Sequence, residues 1–352
     1  MNHRVSTLAW MLLGIAGATP LGAGVLDCVS ASPIDVVLRI DPGEPPRRLK
    51  LIGGISPAMT LVDPGTQLVL WSAGATAPAT QIFPSMWAGF SASLIALDLD
   101  ADGTHDRIYA GDLAGRLWRF DIHQGAGPAR LFTGGVFAEL GGGPPATRAF
   151  VAAPDVSLGG SAEAPWLNVA IGSASISLDA DNNRFYVLRD HAAFESWSQQ
   201  QYLDWDPLTE SDLLWMNDPA GAQGPDADDT RAPGFYVTLA QGSVLASSIT
   251  VAGRAVIAVA TEIAGADGQC RAAVTISSLS LQTARNTGHE AGRTGLEAGL
   301  VLPGRIATSA LFEVQPANGA DPGRCSFGDV AIADCTVSTT LHPLWWRRED
   351  AD

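Results

Sequence analysis

The residues whose types and spacing could do chemistry stand together at Asp98-Leu99-Asp100-Ala101-Asp102-Gly103-Thr104-His105-Asp106. They follow the pattern D-x-D-x-D-G-x-x-D, the first nine positions of an EF-hand-like calcium loop. Four carboxylates in so short a stretch repel one another unless a cation neutralises them. Ca²⁺ suits them because it takes about six to eight oxygen ligands at roughly 2.3–2.6 Å. Carboxylates at positions 1, 3 and 5 converge as the chain curls, and Gly103 permits the sharp turn at position 6. The expected ligand set is therefore Asp98, Asp100, Asp102, the carbonyl of Thr104, and Asp106, the last directly or through water. Mg²⁺ fits less well, since it prefers compact octahedral sites and keeps its waters. The His105 side chain is expected to point to solvent and not to the metal. An EF-hand would continue as a helix with Glu at position 12, but that position is Tyr109, inside a strand pattern. The loop is thus expected to feed a β-hairpin, with any further ligand coming from elsewhere or from water.

Other chemistry finds little footing. The chain holds no G-x-S-x-G elbow, H-E-x-x-H or P-loop, and its six histidines are dispersed. His289-Glu290 has no second histidine at zinc-protease spacing. Paired carboxylates for glycoside hydrolysis remain open, because 37 acidic residues offer many accidental pairs. No enzyme activity is expected. Asp179-Ala-Asp181-Asn-Asn183 echoes the acidic loop without its glycine and reads as a hairpin turn; Asp226-Ala-Asp228-Asp229 reads as an acidic surface loop. Cys28, Cys270, Cys325 and Cys335 form no C-x-x-C pair, which argues against zinc or redox chemistry. Their use fits an oxidising compartment. Spacing leaves a Cys325–Cys335 staple and buried free thiols equally open.

The elements that must position the acidic loop are hairpins. Arg107–Ala110 reads as a strand, Gly111–Gly115 as a turn and Arg116–Ile122 as a second strand. In that second strand Leu117, Arg119 and Asp121 share one face, and Trp118, Phe120 and Ile122 the other. The pattern returns at Leu167–Ser173 with Arg184–Arg189, at Arg254–Ala260 with Ala272–Ser277, and more weakly at Gln67–Ser72. Helical periodicity is scarce; the best candidate runs from about His191 to Leu203. Gly134–Thr147 and Pro219–Pro233 read as loop insertions. Repeated hairpins without intervening helices indicate an all-β chain. A β-propeller, irregular or incomplete and with long loop insertions, is preferred because adjacent hairpins can bury their apolar faces without long exposed edges. The ten tryptophans, Trp345 and Trp346 among them, read as propeller packing more than as interface anchors.

Of 352 residues, 46% are hydrophobic and 16% charged, which is enough apolar material for one large domain. The 38 glycines and 22 prolines are scattered without period, as turns between short strands would be. A formal charge of −16 argues against nucleic acid or an anionic membrane surface as partner, because the phosphate-binding term needs a basic face. Lys50 is the only lysine among 21 basic residues, which we read as genomic composition bias. At the N-terminus Arg4 precedes an apolar run from Leu8 to Ala18 and then small residues, the pattern of a secretory signal peptide over residues 1–24. The run is shorter than the ~18 apolar residues a membrane span needs. Asp27 precedes Cys28, where a lipidation site takes a small residue. The protein is expected to be exported, without a membrane span after signal cleavage, and residues 33–350 are expected to form one domain.

The stretch from Asp98 to Ile122, ending DRIYAGDLAGRLWRFDI, resembles the signature of the PilY/PilC-type pilus biogenesis factors. In that family an acidic calcium loop precedes a Tyr-Ala-Gly-Asp hairpin and a Trp-Arg-Phe-Asp strand. Phe132–Phe137, Ala153–Val156, Leu167–Ser173, Asn183–Asp190, Gly234–Tyr236 and Trp345–Arg347 follow in the family's order. The resemblance implies the family's C-terminal β-propeller, with Ca²⁺ held by Asp98, Asp100, Asp102, Thr104 and Asp106. It implies a non-enzymatic role in type IV pilus biogenesis and retraction control, twitching motility and cell adhesion. Pilins and minor pilins of the fimbrium would be the partners, in the periplasm, at the outer surface or on the pilus. The family's N-terminal von Willebrand A-like region and its D-x-S-x-S metal motif have no counterpart here, so the chain reads as a short form. The alternative is a generic secreted calcium-binding propeller, integrin-like or quinoprotein-like. Integrin-like repeats reuse the acidic loop, which here occurs once, and a quinoprotein would need vicinal cysteines.

Overall fold

The computed structural model describes residues 33–281, except 55, 91–93, 143–147, 176–182, 217–231, 240–241, 252 and 267–268. It also describes the strands Val29–Ser30, Glu297–Leu302, Ile306–Ala307, Phe312–Gln315, Gly323–Phe327 and Val330–Val337. The signal peptide, Cys28, the loops at 179–182 and 226–229, His289-Glu290 and the terminal tryptophans lie outside the described residues.

After β1 (Val29–Ser30), four sheets follow one another along the chain. The first comprises β2 (Ile34–Leu38), β3 (Arg47–Gly53), β4 (Ala58–Val62), β5 (Val69–Gly74) and β6 (Gln81–Ile82), in that spatial order. The second comprises β7 (Ile95–Leu97), β8 (Arg107–Gly111), β9 (Arg116–Ile122) and β10 (Phe132–Glu139), again as neighbours in sequence order. Next come β11 (Arg148–Ala149), which pairs with β14 (Ala174–Ser175), and the third sheet. That sheet holds β12 (Asp155–Gly160), β13 (Pro165–Gly172), β15 (Arg184–Asp190), β16 (Leu214–Trp215) and β17 (Gly234–Thr238), with β16 at its far edge. The fourth is built on the long hairpin of β20 (Arg254–Ala266) and β21 (Gln269–Ser280), flanked by β18 (Ser243–Val244), β19 (Ile249–Val251) and β22 (Glu297–Leu302). Most consecutive strands pair as antiparallel hairpins across short turns, as at β4–β5, where Asp63 Oδ1 accepts from the amides of Gly65 (2.8 Å) and Thr66 (3.1 Å). The expected hairpins at 107–122 and 167–189 are present, and that at 254–277 is longer at both of its inner ends.

Packing explains the near-continuous burial of the middle strands. Three apolar clusters lie between successive sheets. Ile108, Ala110, Trp118 and Phe120 of the second sheet pack with Val36, Leu51, Leu61 and Trp71 of the first. From the opposite face, Tyr109 and Leu117 pack with Val169, Ile171, Tyr186 and Leu188 of the third. Phe185, Val187 and Phe235 then meet Val244, Ile257 and Val259 of the fourth. A strand's side chains alternate between its faces, so β8 and β15 each feed two cores. Sheets stacked face to face in chain order are the packing of propeller blades.

Two expectations are corrected by this packing. Gly134–Thr147 does not begin as a loop: Phe132–Glu139 is strand β10. Its glycine is needed for close approach, since a Cβ on Gly134 would sit 2.2 Å from Cδ1 of Phe120. The expected helix at 191–203 shrinks to α1 (Gln199–Asp204), started by a capping box in which the Ser198 hydroxyl accepts from the Gln201 amide. Residues 191–197 are instead irregular, with a turn closed by Glu195 N–H donating to Ala192 O, and their carbonyls meet the side chains of Arg107 and Arg119. Of the tryptophans, Trp71 and Trp118 are core as expected, whereas Trp87 and Trp215 are exposed. Cys325 and Cys335 fall on adjacent paired strands, with a register shift between Gly323 and Cys325.

Candidate metal centre

β7 and β8 are antiparallel, with Leu97 opposite Arg107, so residues 98–106 form the hairpin loop between them. The loop curls through left-handed backbone at Ala101 (φ 63°) and Gly103 (φ 88°). Nothing lies within 4 Å of where a Gly103 Cβ would be, so glycine is required there by its dihedral angle and not by space. The curl brings one carboxylate oxygen each of Asp98, Asp100 and Asp106 within 4.8 Å of one another. Asp98 and Asp100 are exposed and Asp106 is partly buried. Backbone donors hold each in place: Gly103 N–H to Asp98 Oδ2 (2.9 Å), Asp102 N–H to Asp100 Oδ1 (3.1 Å) and Leu99 N–H to Asp106 Oδ2 (2.6 Å).

Asp102 stands apart from that trio. Its Oδ1 accepts from both the amide and the hydroxyl of Thr104, each at 2.7 Å. Thr104 itself is buried. The structure thus brings together the carboxylates of three of the four expected aspartates and gives the Asp102 carboxylate a turn-stabilising partner.

The donor set suits a hard divalent cation. It is all oxygen, it carries excess negative charge, and its two exposed carboxylates leave one side open for water ligands. Asp106 registers the uncompensated charge: its carboxyl is pushed up to about 6, first by burial and then by the charges of Asp100, Asp98 and Asp102, against the lowering effect of the Leu99 amide. Asp98, Asp100 and Asp106 would hold the ion, and a bound Ca²⁺ would supply the positive charge that this loop lacks.

His105 corrects the expectation of a solvent-facing side chain. Its Nδ1 accepts from Val37 N–H at 2.9 Å, and its own N–H donates to Val37 O at 3.0 Å. Gln124 continues the link, donating to His105 O and accepting from Arg39 N–H, both at 2.7 Å.

Behind the loop lies a constellation that sequence reasoning missed. Arg107, next after Asp106, donates from Nε to Asp121 Oδ1 at 2.8 Å and from Nη1 to the carbonyl of Ala193 at 2.8 Å. Arg119 donates to Asp190 at 3.1 Å and to Glu195 O at 2.5 Å, with Trp197 lying 4.3 Å from its guanidinium carbon. The Tyr109 hydroxyl donates to Asp190, and that of Tyr202 to Asp121 at 2.6 Å. Burial, reinforced by Asp190, raises the Tyr109 phenol well above its ordinary value; burial, with Asp121 reinforcing it, raises Tyr202 against the pull of Arg119. Both remain neutral donors. Two cations and two anions balance, and all four charged side chains are buried. Buried from solvent, this cluster joins the second sheet to the third.

No family model matches the chain, and no curated protein matches it. Among solved structures it is similar to the crystal structure of the C-terminal domain of PilY1 from Pseudomonas aeruginosa. The likeness spans 88% of this chain and 72% of that one, at 17% identity and a TM-score of 0.52. This chain has the fold of the PilY1 C-terminal domain, a β-propeller. In the PilY1-like frame the acidic loop caps one end of the second blade, between its first two strands, and the buried charge cluster sits between the second and third blades. Among the described residues no helix is long and apolar enough to cross a membrane.

Proposed function

We propose that this chain is an exported, non-enzymatic propeller of type IV pilus biogenesis whose 98–106 loop binds Ca²⁺. The observation that carries the pilus role is the likeness to the PilY1 C-terminal domain over most of the chain. The calcium reading is supported by the convergence of Asp98, Asp100 and Asp106 on a curled hairpin loop. On this reading the partners are pilins or minor pilins, and calcium occupancy bears on pilus extension against retraction, twitching motility and adhesion. The loop's own residues supply oxygen ligands and a fixed curl; the ion supplies the charge that lets the carboxylates stay together.

The site is tested by calorimetric titration of Ca²⁺ into wild type and the Asp98→Asn/Asp106→Asn double variant. Binding by the wild type that is lost in the variant is expected, and equal heats from both would sink the metal site. The pilus role is tested by deleting the gene and counting surface pili and twitching zones. Both are expected to fall, and unchanged piliation and twitching would leave only a secreted calcium-binding propeller.

A further inference from the structure

We propose that His105 couples cation occupancy of the acidic loop to the junction between the first two blades. This rests on the reading that the loop holds a divalent cation. The observation behind it is the way the loop meets β2. Val37 lies on β2, the edge strand of the first sheet, and Arg39 just past its end, two residues on, so that in extended chain their main-chain groups point the same way, outward from β3. An edge strand left so is a row of unmet donors and acceptors. Here His105 meets both groups of Val37, its amide donating to Val37 O (3.0 Å) and its ring Nδ1 accepting from Val37 N–H (2.9 Å). One residue thereby reproduces the two-bond rung that a neighbouring strand would provide. Because Nδ1 accepts, the ring proton resides on Nε2. The rung beyond is completed by the same blade: Arg39 N–H donates to Gln124 Oε1 and Gly125 N–H donates to Arg39 O, both at 2.7 Å. Gly127 N–H then donates to Ile40 O at 2.8 Å, and Gln124 Nε2 ties the two halves by donating to His105 O.

His105 is the only residue of this bracket that lies inside the acidic loop. It is bonded directly to Asp106, whose carboxylate must approach those of Asp98 and Asp100, and it follows Thr104, which Asp102 holds. The backbone that turns Asp106 toward the other two carboxylates therefore also sets the direction of the His105 amide. When the carboxylates repel, the loop is driven to open at the residue that carries both bonds to Val37. When a cation gathers them, the same backbone is fixed and the rung is held. Occupancy thus biases how firmly the first blade is latched to the second.

The test is amide hydrogen exchange on the full chain in CaCl₂ and in excess chelator, read at Val37 and Arg39, with Ca²⁺ binding measured separately by calorimetry. In wild type, calcium is expected to slow exchange at Val37 by about tenfold or more, as closing of a local opening does. In His105→Ala, calcium should still bind, since the ring is not among the carboxylate ligands, but Val37 should exchange at the same fast rate with and without it. His105→Asn, whose carbonyl can still accept from Val37 N–H, should recover part of the calcium effect. Calcium binding with Val37 exchange unchanged in wild type would overturn the coupling and leave the metal site standing. An absence of calcium binding in wild type would overturn the metal site itself, and the coupling with it.

Discussion

Arg119, in the middle of β9, places Nη1 3.1 Å from Oδ1 of Asp190 at the end of β15, and both side chains are buried. The pair spans 71 residues of sequence and joins two blades through a region with no access to water. Asp190 is shared: it also accepts from Tyr109 and from Arg107 Nη1, at 3.4 Å for the latter. Removing water from four charges is costly, and mutual attraction offsets that cost only when every group is matched. The cluster's value is therefore in fixing which blades meet, and in what register, more than in net stability.

Asp190→Ala should cost about 3–5 kcal/mol, because it leaves Arg119 and Arg107 buried with too few acceptors. Urea denaturation of wild type and variant measures it. Replacing Arg119 and Asp190 together with Met and Leu should recover a large part of that loss, since no unmatched charge of this pair remains. A double variant as unstable as Asp190→Ala would show that the charges themselves, and not their matching, hold the blades.

How much of this was legible in the sequence divides along a physical line. The 107–122 hairpin was readable because turn residues and alternation are local signals, and the strand faces were assigned correctly: Trp118 and Phe120 enter one core, Leu117 the other. The curl of the acidic loop was readable from the spacing of its aspartates and Gly103, though that spacing did not show that the Asp102 carboxylate turns to Thr104. The partners of Arg119 and Asp121 were not. Two charged residues on one face of a strand look like a solvated face until a neighbouring blade covers them, and the covering residues, Asp190 and Tyr202, lie 71 and 81 positions from those they bond. His105 was misplaced for the same reason, since its acceptor role depends on Val37, 68 positions away. Gly134 was misread because glycine in a loop and glycine beneath an aromatic ring look alike in one dimension.

Gly134→Ala tests that last point. The new methyl would fall 2.2 Å from Phe120 Cδ1, and Phe120 is fully buried between the first two sheets. Overpacking of this kind costs about 1–3 kcal/mol. A lowered thermal midpoint is expected, partly restored by adding Phe120→Leu. A loop glycine, by contrast, would tolerate alanine with little change.

Asp155 carries the pH dependence that can be stated with a sign. It begins β12, accepts from the Thr250 hydroxyl at 2.6 Å across the third and fourth blades, and burial pushes its carboxyl up to about 6 against the lowering effects of Thr250 and the Val156 amide. A carboxyl whose folded value lies above its unfolded value binds its proton more tightly when folded. Its stabilising contribution is therefore complete below about pH 4 and is lost as pH rises through about 6. Asp155→Asn keeps an acceptor for Thr250 and removes the ionisation. It should raise stability at pH 7 by up to about 3 kcal/mol and flatten the fall in stability between pH 4 and 7. Chemical denaturation at a series of pH values reads both, and parallel curves for the two proteins would assign the slope to other groups.

Gln199 offers a different kind of test, because it stands in for a strand. β10 is the outer strand of the second sheet, and such an edge exposes unpaired main-chain groups. The Gln199 side-chain amide meets both groups of Gly134, Oε1 accepting from Gly134 N–H at 3.1 Å and Nε2 donating to Gly134 O at 2.9 Å. Further along, the Leu208 main chain donates to Phe137 O and accepts from Glu139 N–H. The segment from 199 to 208 therefore covers the edge at two places, at Gly134 by the Gln199 side chain, and at Phe137 and Glu139 by the Leu208 backbone together with Trp205 Nε1, which donates to Phe137 O at 3.0 Å. Gln199→Ala removes only the first. Exchange of the Gly134 amide should quicken by about tenfold, the effect of about 1.4 kcal/mol, while the Glu139 amide keeps its protection. Loss of protection at both would mean that the side-chain amide holds the whole segment down, and loss at neither would mean that Tyr202, Trp205 and the Leu208 backbone hold the segment without it.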